Sequence, residues 1–360
     1  MINKKFWHGK RVFLTGHTGF KGSWLALWLQ DMGAIVRGYA LTPPTTPSLF
    51  EVASVESGMD SVIGDIRDYD CLYNSIDEFK PEIVIHMAAQ PLVRLSYNMP
   101  VETYSTNVMG TVNLLDCIRK IGGVKSVVNV TSDKCYDNKE WPWGYREDEP
   151  KGGHDPYSSS KGCAELVADA FRKSYFDPQS YDKHNCGVAS VRAGNVIGGG
   201  DWALDRLIPD MLIAFENKKA VDIRFPHSIR PWQHVLEPLS GYLLTAEKLY
   251  QNGAEFSEGW NFGPADDDAK PVQWIAEKLV KIWGEGAAWN LDVNSHPHEA
   301  CYLKLDCSKA KLRLQWQPRW SLETTLQKIV LWHKAWLSNE NMHDYTLNEI
   351  KSYIATQSNQ

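Results

Sequence analysis

The chain has no apolar run approaching the roughly 18 residues that a membrane span needs, so no membrane role is expected. It has no block of Lys and Arg, and its formal net charge is −6, which argues against nucleic acid as a partner. Its seven cysteines are scattered, odd in number and without a Cys-x-x-Cys pair. That argues against a disulfide framework and for a reducing compartment, so a cytoplasmic location is expected. Residues 1–10 are basic, but only residues 12–15 follow before a glycine, too few for a signal-peptide core. Internal repeats and low-complexity tracts are also missing. What is there, 360 residues with 43% hydrophobic and 23% charged, suits a soluble enzyme of one large or two intimate domains. The 15 tryptophans are many, and packing accounts for most of them.

Residues 11–15 read as a buried strand that runs into Gly16-His17-Thr18-Gly19-Phe20-Lys21-Gly22. An apolar-periodic helix over 24–32 and a second strand over 34–39 follow. Strand, glycine turn, helix and strand open a Rossmann-type doubly wound parallel sheet, an α/β fold. Such glycines let the backbone approach a pyrophosphate seated on the helix N-terminus. One expected feature is absent. The acidic residue that normally takes the adenosine ribose about 20 positions on is replaced by Tyr39-Ala-Leu-Thr-Pro-Pro44. This leaves NAD against NADP open and weakens the grip on the adenosine end; Arg37 is near but lies inside the strand.

A short strand over 61–64 ends in Asp65-Ile66, where the aspartate either meets an adenine amino group or caps the chain from Arg67. The strand over 82–87 ends in Ala88-Ala89-Gln90, small residues that let backbone approach a flat ligand. Residues 101–121 read as helix, with Asn107 and Thr111 on its polar side. The apolar run 126–130 ends in Thr131-Ser132-Asp133-Lys134-Cys135-Tyr136. A Trp-, Pro- and Gly-rich loop over 141–153 leads to Asp155, a cap, and Pro156, suited to a first helical turn that runs to about residue 175. Tyr157 and Lys161 share one face of that helix. An ammonium there is expected to lower the phenol pKa from about 10 towards working pH. Asp133 and Lys134 add an acid and a base, but neighbours on a strand point to opposite sides, so the chain must turn at that point.

A strand over 187–192 leads to Gly194-Asn195, and the alternation then weakens: helix 204–217, strand 221–225, helix 235–250, strand 260–262, helix 272–283. We divide the chain into a dinucleotide-binding domain over 1–195, with segments around 234–263 returning to it, and a smaller mixed α/β substrate-binding lobe over 196–360. The last twenty or so residues are polar and read as a loosely held helix or tail. His296 and His298 flank a proline but have no third ligand near, so no metal is expected.

Together these stretches resemble the extended short-chain dehydrogenase/reductase family: Thr15-Gly16-x-x-Gly19-x-x-Gly22, His86-Met-Ala-Ala89-Gln90, Thr106-Asn107-Val-x-Gly110-Thr111, Tyr157-x-x-x-Lys161 and Arg192-x-Gly194-Asn195-Val-x-Gly198. Thr131-Ser132-Asp133 with Tyr136 resembles its nucleotide-sugar 4,6-dehydratases, which usually carry Asp-Glu where this chain has Asp133-Lys134. The runs 192–202 and 230–235 look most like the branch acting on CDP-glucose.

The resemblance implies NAD as cofactor, held by Gly16, His17, Thr18, Gly19, Phe20, Gly22, Asp65, Ile66, Ala88, Ala89, Gln90, Asn107, Thr131, Tyr157 and Lys161. It implies catalysis by Ser132, Asp133, Lys134, Tyr157 and Lys161. Lysine can act as the base at C5 from a dry, cationic setting. Asn195, Arg206, Arg230 and Tyr302 are expected at CDP-glucose, with guanidinium forks suited to its diphosphate. Turn formation at Asn195 and surface ion pairs at the arginines are the structural alternatives. A homodimer or larger homo-oligomer through the helices 101–121 and 156–175 is also implied. The competing functions are an epimerase, a dehydratase of dTDP-, GDP- or UDP-sugars, and a non-catalytic dinucleotide-binding regulator.

Overall fold

A computed structural model describes residues 2–292, 294 and 302–356. Seven strands form one sheet: β1 (Arg11–Thr15), β2 (Ile35–Ala40), β3 (Asp60–Ile63), β4 (Ile83–His86), β5 (Ser126–Val130), β6 (Gly187–Ala193) and β7 (Gly259–Phe262). Their order is β7-β6-β5-β4-β1-β2-β3, and every neighbouring pair is parallel. This is the expected doubly wound sheet. Its order reverses between β1 and β4, which opens a crevice at their carboxyl ends.

Alternate residues of the strands feed two cores. Val12, Leu14, Ile83, Ile85, Val128 and Val191 face one side, where the helices Phe20–Asp31 and Leu236–Phe256 pack. Phe13, Val84, Val127 and Val188 face the other, against Tyr69–Phe79, Gly110–Ile121 and Pro156–Ser174. Burial on both faces explains why these runs are almost continuously apolar. A third core joins the helices Leu207–Glu216, Val272–Trp283 and Leu322–Leu337. Beside it, Ala220–Ile223 pairs in parallel with Ala288–Leu291.

Two readings of the sequence need correction, and one helix is not foreseen by it. The 101–121 helix contains a π turn over Ser105–Met109, and Asn107 and Thr111 are buried, each 2% exposed, rather than on a wet side. They are buried because each has polar partners inside. Residues 342–355 form a docked helix and not a loose tail: Met342, Thr346, Glu349, Ile350 and Tyr353 make a buried stripe at helical spacing. Tyr353 donates to Glu237 Oε2 at 2.7 Å. The helix Leu322–Leu337 was not read from the sequence, because His333 and Thr325 interrupt its apolar stripe while being buried themselves.

One buried ion pair ties the Pro156–Ser174 helix to β6. Arg192 grips Glu165 with both forks, Nε to Oε1 and Nη2 to Oε2, at 2.7 Å each. The Tyr136 hydroxyl accepts a third bond from Arg192 Nη1 and donates to Asn261. Neither charged side chain exceeds 4% exposure. Arg192→Met should therefore destabilise the chain by about 3–5 kcal/mol, because it strands a buried carboxylate. A denaturant titration showing a loss under about 1 kcal/mol, typical of an exposed pair, would contradict this role.

Candidate active site

Packing inside the protein demands glycine at two of the three glycine positions in the turn after β1. Gly16 has φ +79°, and a Cβ there would lie 2.7 Å from the Ala88 nitrogen. A Cβ on Gly22 would fall 2.0 Å from the Gly16 carbonyl oxygen. Gly19 is different: its nearest neighbour would be at 3.5 Å, an ordinary contact, so internal packing does not demand glycine. It caps the Phe20–Asp31 helix with no side-chain bond to the first amides. A bare backbone at an uncapped helix start fits a pyrophosphate.

Thr18 fastens the turn by donating to Leu41 O at 2.8 Å, and the His17 ring meets Ser61 Oγ at 2.8 Å. Burial holds His17 neutral, lowering its pKa to about 4, and its Nδ1 has no partner.

At the adenosine end, Asp65 is engaged locally. Its carboxylate accepts from the Arg67 backbone at 2.8 Å and from the Arg67 guanidinium at 2.5 to 3.0 Å. This local engagement fits the capping alternative, and 28% of the Asp65 side chain stays exposed. Arg37 is paired with Asp60 and Glu78 and is not directed to a ribose phosphate. Ile66 is buried against Gly110.

The β4 end is clamped by Asn107. Its Oδ1 accepts from Gln90 N at 2.8 Å, while Nδ2 donates to Gln90 O and to Ser160 Oγ. Gln90 in turn bonds Thr103 and Leu92. Both amides thus hold the Ala88-Ala89 backbone and the Pro156–Ser174 helix in register. Thr131 is likewise turned inward, its hydroxyl donating to Glu165.

The turn needed beyond β5 is present. Residues Asp133–Cys135 form a single 3-10 turn capped by Ser132, whose Oγ accepts from Lys134 N at 3.2 Å. Tight winding replaces strand alternation there, which frees consecutive side chains from opposite faces. Ser132 Oγ also donates to Asp133 Oδ1 at 2.9 Å, whereas Asp133 Oδ2 is buried without a partner. Burial raises the Asp133 pKa against the opposing pull of Lys134, Ser132 and Arg230. Lys134 Nζ lies 6.0 Å from the Tyr157 ring centre. Cys135, adjacent, is fully buried and burial raises its thiol pKa, so it packs.

Tyr157 overturns one expectation. Its pKa is raised to about 12 by burial, and the neighbouring Ser132 hydroxyl offsets only part of that. The cation acting on it is Arg206, opposed by Asp133. Lys161 is itself lowered to about 8 by burial, countered in part by Glu165. Burial thus favours the neutral form of both the phenol and the lysine.

Arg206 donates to Asp201 Oδ2 at 2.8 Å with its field reaching Tyr157. Arg230 is buried, and its charge acts on Asp133. Asn195 turns the chain after β6, its carbonyl accepting from Gln233 N at 3.0 Å. Tyr302 bridges to Ile229, beside Arg230, and donates to Pro142 O at 3.1 Å. Lys21 was not singled out in the sequence, yet it belongs to this cluster: the charges of Lys161, Arg206 and Asp133 all act on it. His296 and His298 lie outside the described residues. Among the described residues no group of three or more His, Cys, Asp or Glu is placed to hold a metal.

A family model described as GDP-mannose 4,6 dehydratase matches residues 13–256, and the chain belongs to that family. It is 67% identical over 355 residues to CDP-glucose 4,6-dehydratase of Salmonella typhimurium, covering 99% of each chain. It is 24% identical to human GDP-mannose 4,6 dehydratase, covering 89% of this chain and 90% of that protein. Two solved structures share the fold. The dTDP-glucose 4,6-dehydratase of Bacillus anthracis in complex with NAD has a TM-score of 0.74 at 21% identity, covering 91% of this chain and 97% of that one. The UDP-glucose 4-epimerase of Thermotoga maritima with UDP-glucose has a TM-score of 0.78 at 21% identity, covering 91% and 99%.

The buried carboxyl of Asp133 gives a stability test. Its folded pKa lies above its unfolded value, so ionisation costs stability once pH rises past the unfolded pKa of about 3.9, fully so above the folded pKa. Asp133→Asn removes that cost. Its melting temperature relative to the parent should therefore rise on going from acid to alkaline buffer; a pH-independent difference would contradict the assignment.

Proposed function

We propose that this chain dehydrates CDP-glucose to CDP-4-keto-6-deoxy-glucose with NAD as a cofactor that ends as it began. What carries this reading is the tight turn that brings Asp133 and Lys134 to Tyr157, in a chain 67% identical to a CDP-glucose 4,6-dehydratase over its whole length. The open glycine cradle fits the dinucleotide. Bound there, NAD would supply a reversible hydride acceptor for the oxidation at C4 and the reduction at C6.

The chain's own residues handle the protons. Tyr157 accepts the C4 hydroxyl proton, and Ser132 hydrogen-bonds the C4 oxygen. Burial pushes the phenol pKa up to about 12, with Arg206 pulling the other way. Lys161 then holds the nicotinamide ribose and favours the phenolate. The C4 ketone acidifies C5–H, since the carbanion is an enolate, and Lys134 removes that proton. Asp133, whose pKa burial raises, gives its proton to the C6 hydroxyl, which leaves as water. Lys134 returns a proton to C5. Arg206 and Arg230 meet the sugar nucleotide's diphosphate, with Asn195 and Tyr302 beside them.

We further propose that residues 1–195, with 234–263, bind the dinucleotide and that 196–360 mainly bind the sugar nucleotide. Val101, Met109 and Leu166, which are 81%, 51% and 59% exposed, support a second copy packing on these helices. The six cysteines of the described residues are free, which suits a cytoplasmic setting. An epimerase is the lesser reading, because it needs no acid for a C6 leaving group.

Incubation with CDP-, dTDP-, GDP- and UDP-hexoses should give the alkaline absorbance of a 4-keto-6-deoxy sugar with CDP-glucose alone. Lys134→Met and Asp133→Asn should still oxidise C4 but stall, so reduced cofactor accumulates at 340 nm while product formation falls at least about 100-fold. Tyr157→Phe should form neither. A near-normal rate in Tyr157→Phe would refute the scheme.

A further inference from the structure

The proposed proton scheme gives no task to the helix Met342–Ala355, yet its buried stripe meets the segment that carries Arg230. The strands there are short. Val196–Ile197 pairs in parallel with Gln233–His234, and Ile229–Pro231 pairs with Ala269–Pro271. Asn195 O accepts from Gln233 N at 3.0 Å, so Asn195 and Arg230 ride on one rim. Ladders of two and three residues hold register weakly, and side chains must fix it.

His234 supplies such an anchor, and it is fully buried. Its Nδ1 accepts from Leu236 N at 3.3 Å, which assigns the ring proton to Nε2. Nε2 lies 3.1 Å from Oε1 of Glu349, whose side chain is 2% exposed. The pair is a close ion-range contact and not an aligned hydrogen bond, and neither atom has another polar partner among the described residues. Removing one of two such atoms leaves the other buried and unsatisfied. The imidazole also packs against Trp24 of the Phe20–Asp31 helix and against Trp320, with ring centres 5.9 and 4.8 Å away. Trp24 Nε1 in turn donates at 3.0 Å to Gly199 O, just past the rim strand Val196–Ile197.

One helical turn on from Glu349, Tyr353 donates to Glu237 Oε2. The C-terminal helix thus grips this region at two points, the first on the rim strand and the second on the helix that follows it.

We propose that Glu349 is a positioning residue for the sugar nucleotide: by holding His234 it sets the register of the rim that presents Asn195 and Arg230. This rests on the placement of those two residues at the sugar nucleotide given above. The catalytic turn Asp133–Cys135 and the glycine turn follow strands of the seven-stranded sheet, whereas the rim strands lie outside it. The effect therefore falls on sugar-nucleotide binding and spares the chemical steps and the dinucleotide.

The test is steady-state kinetics with CDP-glucose, and calorimetric titration with CDP and with NAD, on the full-length chain. Glu349→Leu strands the His234 donor. It should raise KM for CDP-glucose and Kd for CDP by about tenfold, with kcat within about threefold and NAD affinity within about twofold of the parent. Glu349→Gln keeps an acceptor at the same reach and should stay within about twofold on both constants. Glu349→Asp, whose carboxyl falls short, should lose about fivefold, and it carries the test if the leucine variant does not fold. Met342→Ala opens a cavity at the start of the same buried stripe and should lower the melting temperature without moving either constant. Glu349→Leu added to Arg230→Met should weaken CDP binding by less than about threefold beyond Arg230→Met alone, because the two act through one rim. The inference is overturned if Glu349→Leu and Glu349→Asp keep parental KM and Kd, if Met342→Ala raises them equally, or if the Glu349→Leu loss multiplies in full with that of Arg230→Met. If Arg230→Met itself binds CDP like the parent, the placement of Arg230 at the diphosphate fails, and this inference with it.

Discussion

Withdrawal of charged groups from water governs this site more than any single contact. At the carboxyl edge of the sheet, Asp133 is pushed up, Tyr157 is pushed up to about 12, Lys161 falls to about 8 and Lys21 to about 7. Each shift has burial as its largest cause, and each favours the neutral form. At this edge burial thus favours the protonated form of the acids and the neutral form of the lysines. An anion brought to this edge favours the charged form of the lysines, and a charged lysine favours the phenolate. Substrate and cofactor on this view complete the electrostatics as well as the geometry.

The scaffold exists to hold that edge still. Parallel strands bring four turns, after β1, β4, β5 and β6, to one rim. Asn107 locks the β4 turn to the Pro156–Ser174 helix through Gln90 and Ser160. The Glu165–Arg192 pair, with Tyr136 and Thr131 attached, locks the same helix to β5 and β6. These polar groups are fully committed to one another, so they fix position without competing for ligand. The C-terminal helix seals the opposite side by placing Tyr353 on Glu237.

Much of this was readable from the residues. Strands buried on both faces announce themselves as short apolar runs, and glycines needed for close approach stand at fixed offsets. The juxtaposition of Asp133 and Lys134 required a turn, and a turn is there. What escaped depends on burial, which spacing does not encode. A lysine one turn into a helix reads as solvated, so Lys21 passed unnoticed. The Tyr157–Lys161 pair suggested a lowered phenol pKa, whereas desolvation outweighs the ammonium. Asn107 and Thr111 looked like a wet helix face because their partners, Gln90, Ser160 and His86, come from distant segments. For Asp65 the spacing left a ligand and a cap both open, and the structure adds its bond to Arg67 two residues on.

The central claim is that hydride leaves and returns inside one closed site with no exchange partner. CDP-glucose deuterated at C4 tests it most directly, with the product read by mass spectrometry and NMR. The account predicts deuterium at C6 of the same sugar molecule, with C5 carrying a proton from solvent. Deuterium lost to water, or found on a different sugar molecule in a mixed-label incubation, would contradict it.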